Sequence, residues 1–350
     1  MITRRSFLGA TLVGIAPLMG CGGGDKQDTR TFRFQKKAVA FGVTPSGKYI
    51  PASRNIDGNG YAWLFTNSLD LTDGIDVHPS EYKDSALSGI SDDGKVGFIH
   101  ATNASGESTA FLWKNGKHIR LLPEGYRLTT SWISGDGRIQ RAGIYKPGKA
   151  LTVEWRGTMQ SMVELPQYFG YPSADGSIAV LDEGYKATLS QSGVKRSLHP
   201  ETMKSSSVRG ISRNGEFQVG SSISAADEAS WYLKAGPTVY SRATVWNNSA
   251  ESARFLHPEG WHLTEATHIN NNGRVIGGSG YQTQVDRNNG LMRALLWLEK
   301  SESMIDLHAL LPRDINFRDS DIRGMDEHGN IVGYASDHEY NIYIVYWTAF

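Results

Sequence analysis

The chain has 350 residues, with 36 Lys and Arg against 36 Asp and Glu, so its formal net charge is zero. Nucleic-acid binding needs a basic surplus or stripe, and no Lys/Arg cluster is present, so this composition excludes a nucleic-acid binder. A hydrophobic fraction of 39% with 9 Trp, 15 Tyr and 12 Phe supplies a core, and a charged fraction of 21% is too low for a disordered chain. We therefore expect a globular protein.

The first twenty residues have the pattern of an export signal, with a basic start followed by an apolar run from Phe7 to Gly20. This run is too short to span a bilayer core of about 30 Å, so it predicts a signal peptide and not a transmembrane helix. Arg4 and Arg5, followed by Phe7 and Leu8, resemble a twin-arginine export signal, although paired arginines also occur in ordinary secretory signals.

Residues 18–21 (Leu-Met-Gly-Cys) resemble a bacterial lipobox, whose cysteine is acylated and becomes the N-terminus after cleavage. Cys21 is the only cysteine in the chain; the alternative, a small buried hydrophobic residue, does not fit its place before a Gly-rich stretch. Two or three acyl chains, at roughly 0.8 kcal/mol per buried CH₂, would anchor the protein stably. Residues 21–29 then form the predicted lipidated tether, and Gly22 favours the outer membrane. Removal of residues 1–20 takes away two arginines and no acid, leaving a net charge of −2, so the anchor is not electrostatic.

One pattern recurs seven times along the rest of the chain: an aliphatic residue, a small polar residue, and a turn that ends in glycine. Asp-Gly and Asn-Gly between β-prone runs are strong hairpin signals, because glycine adopts positive φ without a Cβ clash. The mean spacing of the seven turn glycines is 47 residues, and they are Gly47, Gly94, Gly137, Gly176, Gly215, Gly273 and Gly329. Five units then carry a strand-like run ending in tryptophan, which predicts packing between units: Trp113, Trp155, Trp246, Trp297 and Trp347.

Each unit therefore indicates four short antiparallel strands, and four-stranded units of this length arranged radially are β-propeller blades. We predict an all-β chain in which residues 30–350 form one seven-bladed β-propeller; a β-sandwich is the alternative, but it needs no sevenfold motif. The last unit ends on its third strand, and residues 30–36 alternate as a half-buried strand that belongs to no unit. We expect this N-terminal strand to pair with the last blade and close the ring, which removes exposed sheet edges.

Residues 89–97 and 110–116, a turn motif followed by Ala-Phe-Leu-Trp-Lys-Asn-Gly, resemble the HAF-type extracellular repeat of bacterial surface proteins. The likeness covers nearly the whole mature chain, is clear in units two, five and six, and fails in unit four. It implies an exported repeat domain and no particular chemistry.

Two units carry insertions between their second and third strands. The interval from the turn glycine to the tryptophan is 18 to 19 residues in units two, three and seven, but 31 in unit five and 24 in unit six. Strand parity places both insertions, residues 221–242 and 279–293, side by side at one end of the ring. Long loops on a rigid scaffold often carry function, so we take as candidate ligand residues Trp231, Tyr232, Tyr240, Tyr281 and Arg287.

The connections between blades lie at the same end and repeat a Pro-centred motif. One interpretation is a ring of groups facing a ligand, with His78, His199, His257, Glu259 and Trp261. The other is that proline ends an outer strand and glutamate caps the turn. Recurrence of the motif in blades that cannot all touch one ligand favours the second interpretation.

Catalytic signatures are scarce. The chain has no Gly-x-Ser-x-Gly elbow and no His-Glu-x-x-His motif, so we assign no catalytic residue, no metal ligand and no cofactor. Chelation by loops of different blades remains open.

Two functions are compatible with these features. The first is a non-catalytic envelope lipoprotein, expected to be monomeric, that binds a protein or glycan partner; an immunity or inhibitor protein is one form of it. The second is a hydrolase or lyase acting on an envelope polymer, with carboxylates or histidines at the mouth of the central channel. An enzyme needs polar groups that converge on one spot, whereas a binder needs an aromatic patch with a polar rim.

Overall fold

A computed structural model describes residues 32–67, 71, 73–165, 170–226 and 240–348, with residues 32–36 described by their backbone. These residues form seven four-stranded antiparallel sheets arranged as the blades of a β-propeller. The predicted fold class is therefore confirmed, and the β-sandwich alternative is wrong. No helix in the described part of the chain is long and apolar enough to cross a membrane.

Consecutive strands build each blade. Blade one contains Ala38–Ala40, Ile50–Ile56, Asn59–Phe65 and Gly74–Asp76. Blade two contains Asp84–Ile90, Val96–Thr102, Ser108–Lys114 and Lys117–Arg120. Blade three contains Arg127–Ile133, Gln140–Lys146, Lys149–Trp155 and Val163–Leu165. Blade four contains Tyr171–Pro172, Ile178–Glu183, Lys186–Gln191 and Val194–Ser197.

The three remaining blades follow the same order. Blade five contains Ser205–Ile211, Gln218–Ile223, Arg242–Trp246 and Arg254–Phe255. Blade six contains Leu263–Ile269, Val275–Tyr281, Arg293–Leu298 and Ile305–Asp306. Blade seven contains Phe317–Met325, Ile331–Asp337 and Ile342–Trp347, and its fourth strand is Phe32–Lys36. Short helices cover Met159–Ser161, Ala250–Ser252, Gln284–Asn288, Ser301–Ser303 and His308–Leu310.

The N-terminal strand pairs with the last strand of the chain. Phe32–Lys36 runs antiparallel to Ile342–Trp347, with Phe32 opposite Trp347 and Lys36 opposite Tyr343. Main-chain pairing therefore joins the first described residues to the last blade.

The seven turn glycines have the backbone conformation that the motif predicts, with φ between 71° and 84°. The polar residue three positions earlier explains the rest of the motif. In blade two, the buried Ser91 hydroxyl donates to Asp93 Oδ1 at 2.7 Å and accepts from the Val96 N–H at 3.0 Å. Ser134 and Ser212 make the same pair of bonds in blades three and five, so the turn is fixed by its own side chains.

The core lies between neighbouring blades. One cluster joins Val96 and Phe98 of blade two to Trp155 of blade three, and another joins Val219 of blade five to Trp297 of blade six. Trp155, Trp246 and Trp297 are fully buried. The tryptophans therefore pack blade against blade, as predicted.

Strand direction gives the ring two different ends. The end with the seven glycine turns is called the turn end, and it also carries the hairpins between third and fourth strands. The other end carries the loops between second and third strands and the connections between blades, and it is called the insertion end. The order of strands in every sheet fixes this assignment.

Candidate functional site at the insertion end

The two predicted insertions meet at the insertion end. The guanidinium carbon of Arg287 lies 3.8 Å from the centre of the Tyr240 ring. Main-chain hydrogen bonds also join the two insertions through His262. Tyr240 N–H donates to the His262 carbonyl at 2.6 Å, and His262 N–H donates to the Tyr281 carbonyl at 3.1 Å. The structure thus brings together Tyr240, Tyr281 and Arg287, while Trp231 and Tyr232 lie outside the described residues.

A short helix that sequence reasoning missed presents Arg287. Thr283 caps its start, because its hydroxyl accepts from Asp286 N–H at 3.0 Å while the Asp286 carboxylate accepts from Thr283 N–H at 2.9 Å. Thr-x-x-Asp is a variant of the capping box, so the signal was present in the sequence. The helix covers Gln284–Asn288, and its Val285 side chain is 64% exposed.

The same surface continues into blade seven. Arg318 Nη2 donates to the Asn289 carbonyl at 2.6 Å, just after the helix. The Arg318 guanidinium also lies 5.0 Å from the centre of the Tyr340 ring, and Tyr340 is 70% exposed. Two Arg–Tyr stacks, contributed by blades five, six and seven, therefore lie on one continuous face. We call Tyr240, Arg287, Arg318 and Tyr340 the stacked face.

The histidines of the connections bond to the neighbouring blade instead of facing a common ligand. The Nδ1 atoms of His78, His199 and His257 lie 2.7, 2.9 and 2.8 Å from the hydroxyls of Ser85, Ser206 and Thr264. Each hydroxyl also accepts a main-chain N–H of the preceding blade, from Ala62, Ala187 and Ala243, at 2.8 to 2.9 Å. This His-hydroxyl-amide arrangement, called the blade lock, favours the structural interpretation of these residues.

A fourth blade lock was not found from the sequence. His308 Nδ1 lies 3.0 Å from Ser320 Oγ, which accepts the Ala294 N–H at 3.0 Å. In the other three locks the histidine precedes the hydroxyl residue by seven positions, which was a detectable spacing. In blade seven the interval is twelve positions, so only the structure reveals it.

The other two predicted residues of the connections differ in placement. Trp261 is 8% exposed and belongs to the core between blades five and six, which removes it from the candidate ligand face. Glu259 is exposed in the turn that ends at Gly260. Of the five connection residues, Glu259 alone remains open to a partner.

A charged cluster that was not predicted joins the first strands of blades five and six to blade four. Arg209 Nη1 lies 3.1 Å from Asp182 Oδ2, and Arg209 Nε lies 2.8 Å from Glu265 Oε1. Burial raises the pKa of Glu265 above its ordinary value, against the opposing effect of Arg209. Burial also works against the charge of Arg209, but the Glu265 and Asp182 carboxylates hold its pKa above the ordinary value.

Blade seven carries a similar pair. Arg323 Nη2 lies 3.6 Å from Asp321 Oδ2, and burial raises the pKa of Asp321 despite this cation. Burial, and then the Asp321 charge, raise the pKa values of Tyr281 and Tyr334. Arg209 and Arg323 each precede a glycine at the same place in the repeat, at a register shift in the first strand. An arginine in this position in two units was the signal that alignment of the repeats could have shown.

These carboxylates are engaged by arginines: Asp182 and Glu265 by Arg209, and Asp321 by Arg323. A carboxyl group whose pKa is raised can donate a proton closer to neutral pH, but a catalytic acid also needs access to a reacting atom. Within the described ranges, no group of three or more His, Cys, Asp and Glu residues could hold a metal ion. The Arg209 cluster thus joins blades four, five and six through ion pairs.

Comparisons with known proteins give the fold without a family. No family model matches the sequence, and no curated protein matches it. Among solved structures, oligogalacturonate lyase from Vibrio parahaemolyticus is similar with a TM-score of 0.58, 12% identity, and coverage of 92% of this chain and 94% of that one. An oligogalacturonate lyase in complex with manganese gives the same values.

TolB proteins are more distant. TolB from Acinetobacter baumannii has a TM-score of 0.42 and 15% identity, over 62% of this chain. This chain spans about half of that protein, 53% of its length. At 12% identity the oligogalacturonate lyases share only the fold with this chain, and a fold by itself does not determine function.

Proposed function

We propose that the protein is an exported, lipid-anchored envelope protein whose β-propeller is a non-catalytic binding module for a protein or glycan partner. The stacked face is its binding surface. The observation that carries this proposal is the pair of Arg–Tyr stacks, Arg287 on Tyr240 and Arg318 on Tyr340, contributed by three adjacent blades. Tyr and Arg are enriched in the cores of protein interfaces and among the residues that dominate binding energy.

The charge arrangement supports binding over catalysis. Asp182, Glu265 and Asp321 are engaged by arginines, so their charges are already balanced within the protein. The insertion end also exposes aromatic rings and a helix side chain, with Tyr340 and Val285 among the most exposed large hydrophobic residues. An immunity or inhibitor protein that neutralises an envelope effector is a specialised form of the same proposal.

The anchor rests on the sequence of residues 1–29, which lie outside the described residues. The proposal takes Arg4, Arg5, Phe7 and Leu8 as a twin-arginine signal and Cys21 as the acylated residue. The likeness to the HAF-type repeat supports export, and Gly22 supports the outer membrane.

The alternative is a hydrolase or lyase for an envelope polymer. It is supported by the raised pKa values of Glu265 and Asp321, which would let either carboxyl donate a proton closer to neutral pH. Under this alternative, Glu265→Gln abolishes turnover of isolated envelope polysaccharide while the ring still folds. If the wild type shows no turnover of this polysaccharide, the enzyme alternative fails and the binding proposal stands.

The direct test is capture from envelope extract with the mature chain carrying Cys21→Ser. The wild-type ring is compared with one whose 221–242 insertion is shortened and with Arg287→Ala. Arg138→Ala, on the exposed turn end, is the matched control because it removes one cation at the opposite end. The proposal expects a partner retained by the wild type and Arg138→Ala but lost from the other two. Equal retention by all four chains would contradict it.

A further inference from the structure

The place where the chain enters the ring lies at the turn end, opposite the stacked face. Phe32 pairs with Trp347, Trp347 pairs with Ile331, and Ile331 pairs with Met325. Met325 comes directly before the glycine turn of blade seven, so this row of four residues marks the turn end. The other end of the same strand, Lys36, pairs with Tyr343 near the insertion end.

From this direction we infer that the anchored ring holds its turn end toward the bilayer and presents the insertion end to a protein in the aqueous space beyond. The inference rests on the lipid anchor of the proposed function. It adds an orientation and a class of partner: a protein that approaches from the side away from the membrane, and not the lipid headgroups of that membrane.

The length of the tether favours one of the two orientations. Phe32 is eleven residues from Cys21. A Gly-rich chain of this length has an r.m.s. span of about 17–20 Å and a fully extended length of about 36–40 Å. Blade strands such as Val96–Thr102 have seven residues, which makes the ring about 23 Å high. To turn the insertion end toward the bilayer, the tether must run past this whole height, which exceeds its r.m.s. span. With the turn end toward the bilayer, the tether has no such distance to cover.

The chemistry of the two ends agrees with this orientation. Ser91 and Ser134 hydroxyls hold the pKa values of Asp93 and Asp136 below the ordinary value, and Lys95 and Arg138 lie beside these two carboxylates. The turn end thus carries paired charges and not a basic patch that would attach it to an anionic bilayer, so the tether alone sets the distance.

The insertion end has an apolar rim instead. Tyr185 of blade four is 83% exposed, and Tyr340 of blade seven is 70% exposed, each in a loop between second and third strands. Tyr145, near the end of the second strand of blade three, is 44% exposed. Aromatic side chains spaced around a rim, with the guanidinium stacks beside them, fit a protein surface.

Energy transfer from the anchored protein to labelled lipids tests the orientation. The full lipidated chain is placed in phosphatidylethanolamine/phosphatidylglycerol vesicles with an acceptor on the headgroups. Donor dyes are attached to Ser177→Cys at the turn end or Tyr185→Cys at the insertion end, both in blade four. With about 23 Å between the ends, we expect transfer at Ser177→Cys to exceed that at Tyr185→Cys by about twofold or more. Equal transfer, or greater transfer at Tyr185→Cys, overturns the orientation.

Two further measurements separate the possible failures. Mass spectrometry of the N-terminal peptide shows whether Cys21 is acylated; an unmodified cysteine overturns the anchor and the orientation together. The soluble Cys21→Ser chain is mixed with the same vesicles without label. We expect no binding, whereas binding that is lost in a Tyr185→Ser, Tyr340→Ser variant identifies the bilayer as the occupant of the insertion end. That result overturns the orientation and the protein partner, while the anchor stands.

Discussion

The Arg213 guanidinium of blade five contacts the Asp92 carboxylate of blade two, so one ion pair crosses the turn end of the ring. Gly135 of blade three lies beside it, and a Cβ on this glycine would come within 2.6 Å of Arg213 Nη2 and 2.7 Å of Asp92 Oδ2. Burial raises the pKa of Asp92 while Arg213 lowers it. Blade five thus meets blades two and three at one point, although blades three and four separate it from blade two on one side of the ring.

Two glycine substitutions should differ sharply because of what each new methyl group meets. At Gly135 it meets the ends of two flexible side chains, so Gly135→Ala should cost less than about 1 kcal/mol of unfolding free energy. At Gly210 it would lie 2.1 Å from the Thr267 carbonyl oxygen of the next blade, so the main chain must move. Gly210→Ala should therefore cost about 1–3 kcal/mol in urea unfolding. Equal losses would contradict this account of the blade contacts.

The blade locks predict a loss of stability without a change in shape. Thr264→Val keeps the volume of a fully buried side chain but removes the oxygen that accepts the Ala243 N–H and bonds His257. The buried N–H is then unsatisfied, which costs about 1–3 kcal/mol. Thr152→Val is the matched control, because its half-buried hydroxyl makes no hydrogen bond within the described residues. Denaturant unfolding of both variants gives the comparison, and a Thr264→Val midpoint as high as the control would refute the lock.

Two buried histidines should lower the stability of the folded protein at acidic pH. Burial lowers the pKa values of His268 and His308 to about 4, and the Arg293 charge acts in the same direction on His308. The unfolded chain binds these protons near pH 6.5 and the folded chain does not, so stability falls as pH drops from about 6.5 toward 4. Each histidine should account for about 1–2 kcal/mol at pH 5.

The matched measurement compares unfolding of the wild type and of His268→Asn, His308→Asn at pH 7.5 and pH 5. The difference between the two proteins isolates the histidines from Glu265, Asp306 and Asp321, whose raised pKa values act with the opposite sign. An identical pH dependence in both proteins would rule out the histidine effect.

The N-terminal strand predicts that cooperative unfolding depends on residues 30–36. Their deletion removes the partner of Ile342–Trp347 and leaves blade seven with an open edge. We expect a broadened melting transition at a lower temperature, because the ring is no longer joined through this strand. A melting profile that matches the wild type would show that the pairing contributes nothing to closure.

The architecture could be predicted from the sequence because the same local turn and strand pattern recurs seven times. Glycine at positive φ, three residues after a Ser, Thr, Asn or Asp, is a requirement of each turn, and Trp155, Trp246 and Trp297 mark equivalent buried places. Strand parity was enough to put both insertions at one end, where Arg287 stacks on Tyr240.

The candidate site was less accessible to sequence reasoning, because its contacts depend on distance between blades. His78 and His257 have the residue type of a ligand-binding group, but their use in blade locks depends on a hydroxyl seven positions later on the next blade. Arg209 engages carboxylates of blades four and six, and Arg318 reaches a carbonyl of blade six. The recurring positions of these histidines and arginines can be found in the sequence, but the partner of each side chain on another blade cannot.

Site-specific photo-crosslinking in intact cells tests the central claim, that the insertion end is the binding surface. A photoreactive residue replaces Tyr340 on the stacked face or, in the matched control, Lys95 on the turn end, both of which are exposed. We predict one discrete protein or glycan adduct from position 340 and none of the same mass from position 95. An adduct formed from position 95 and absent from position 340 would contradict the account.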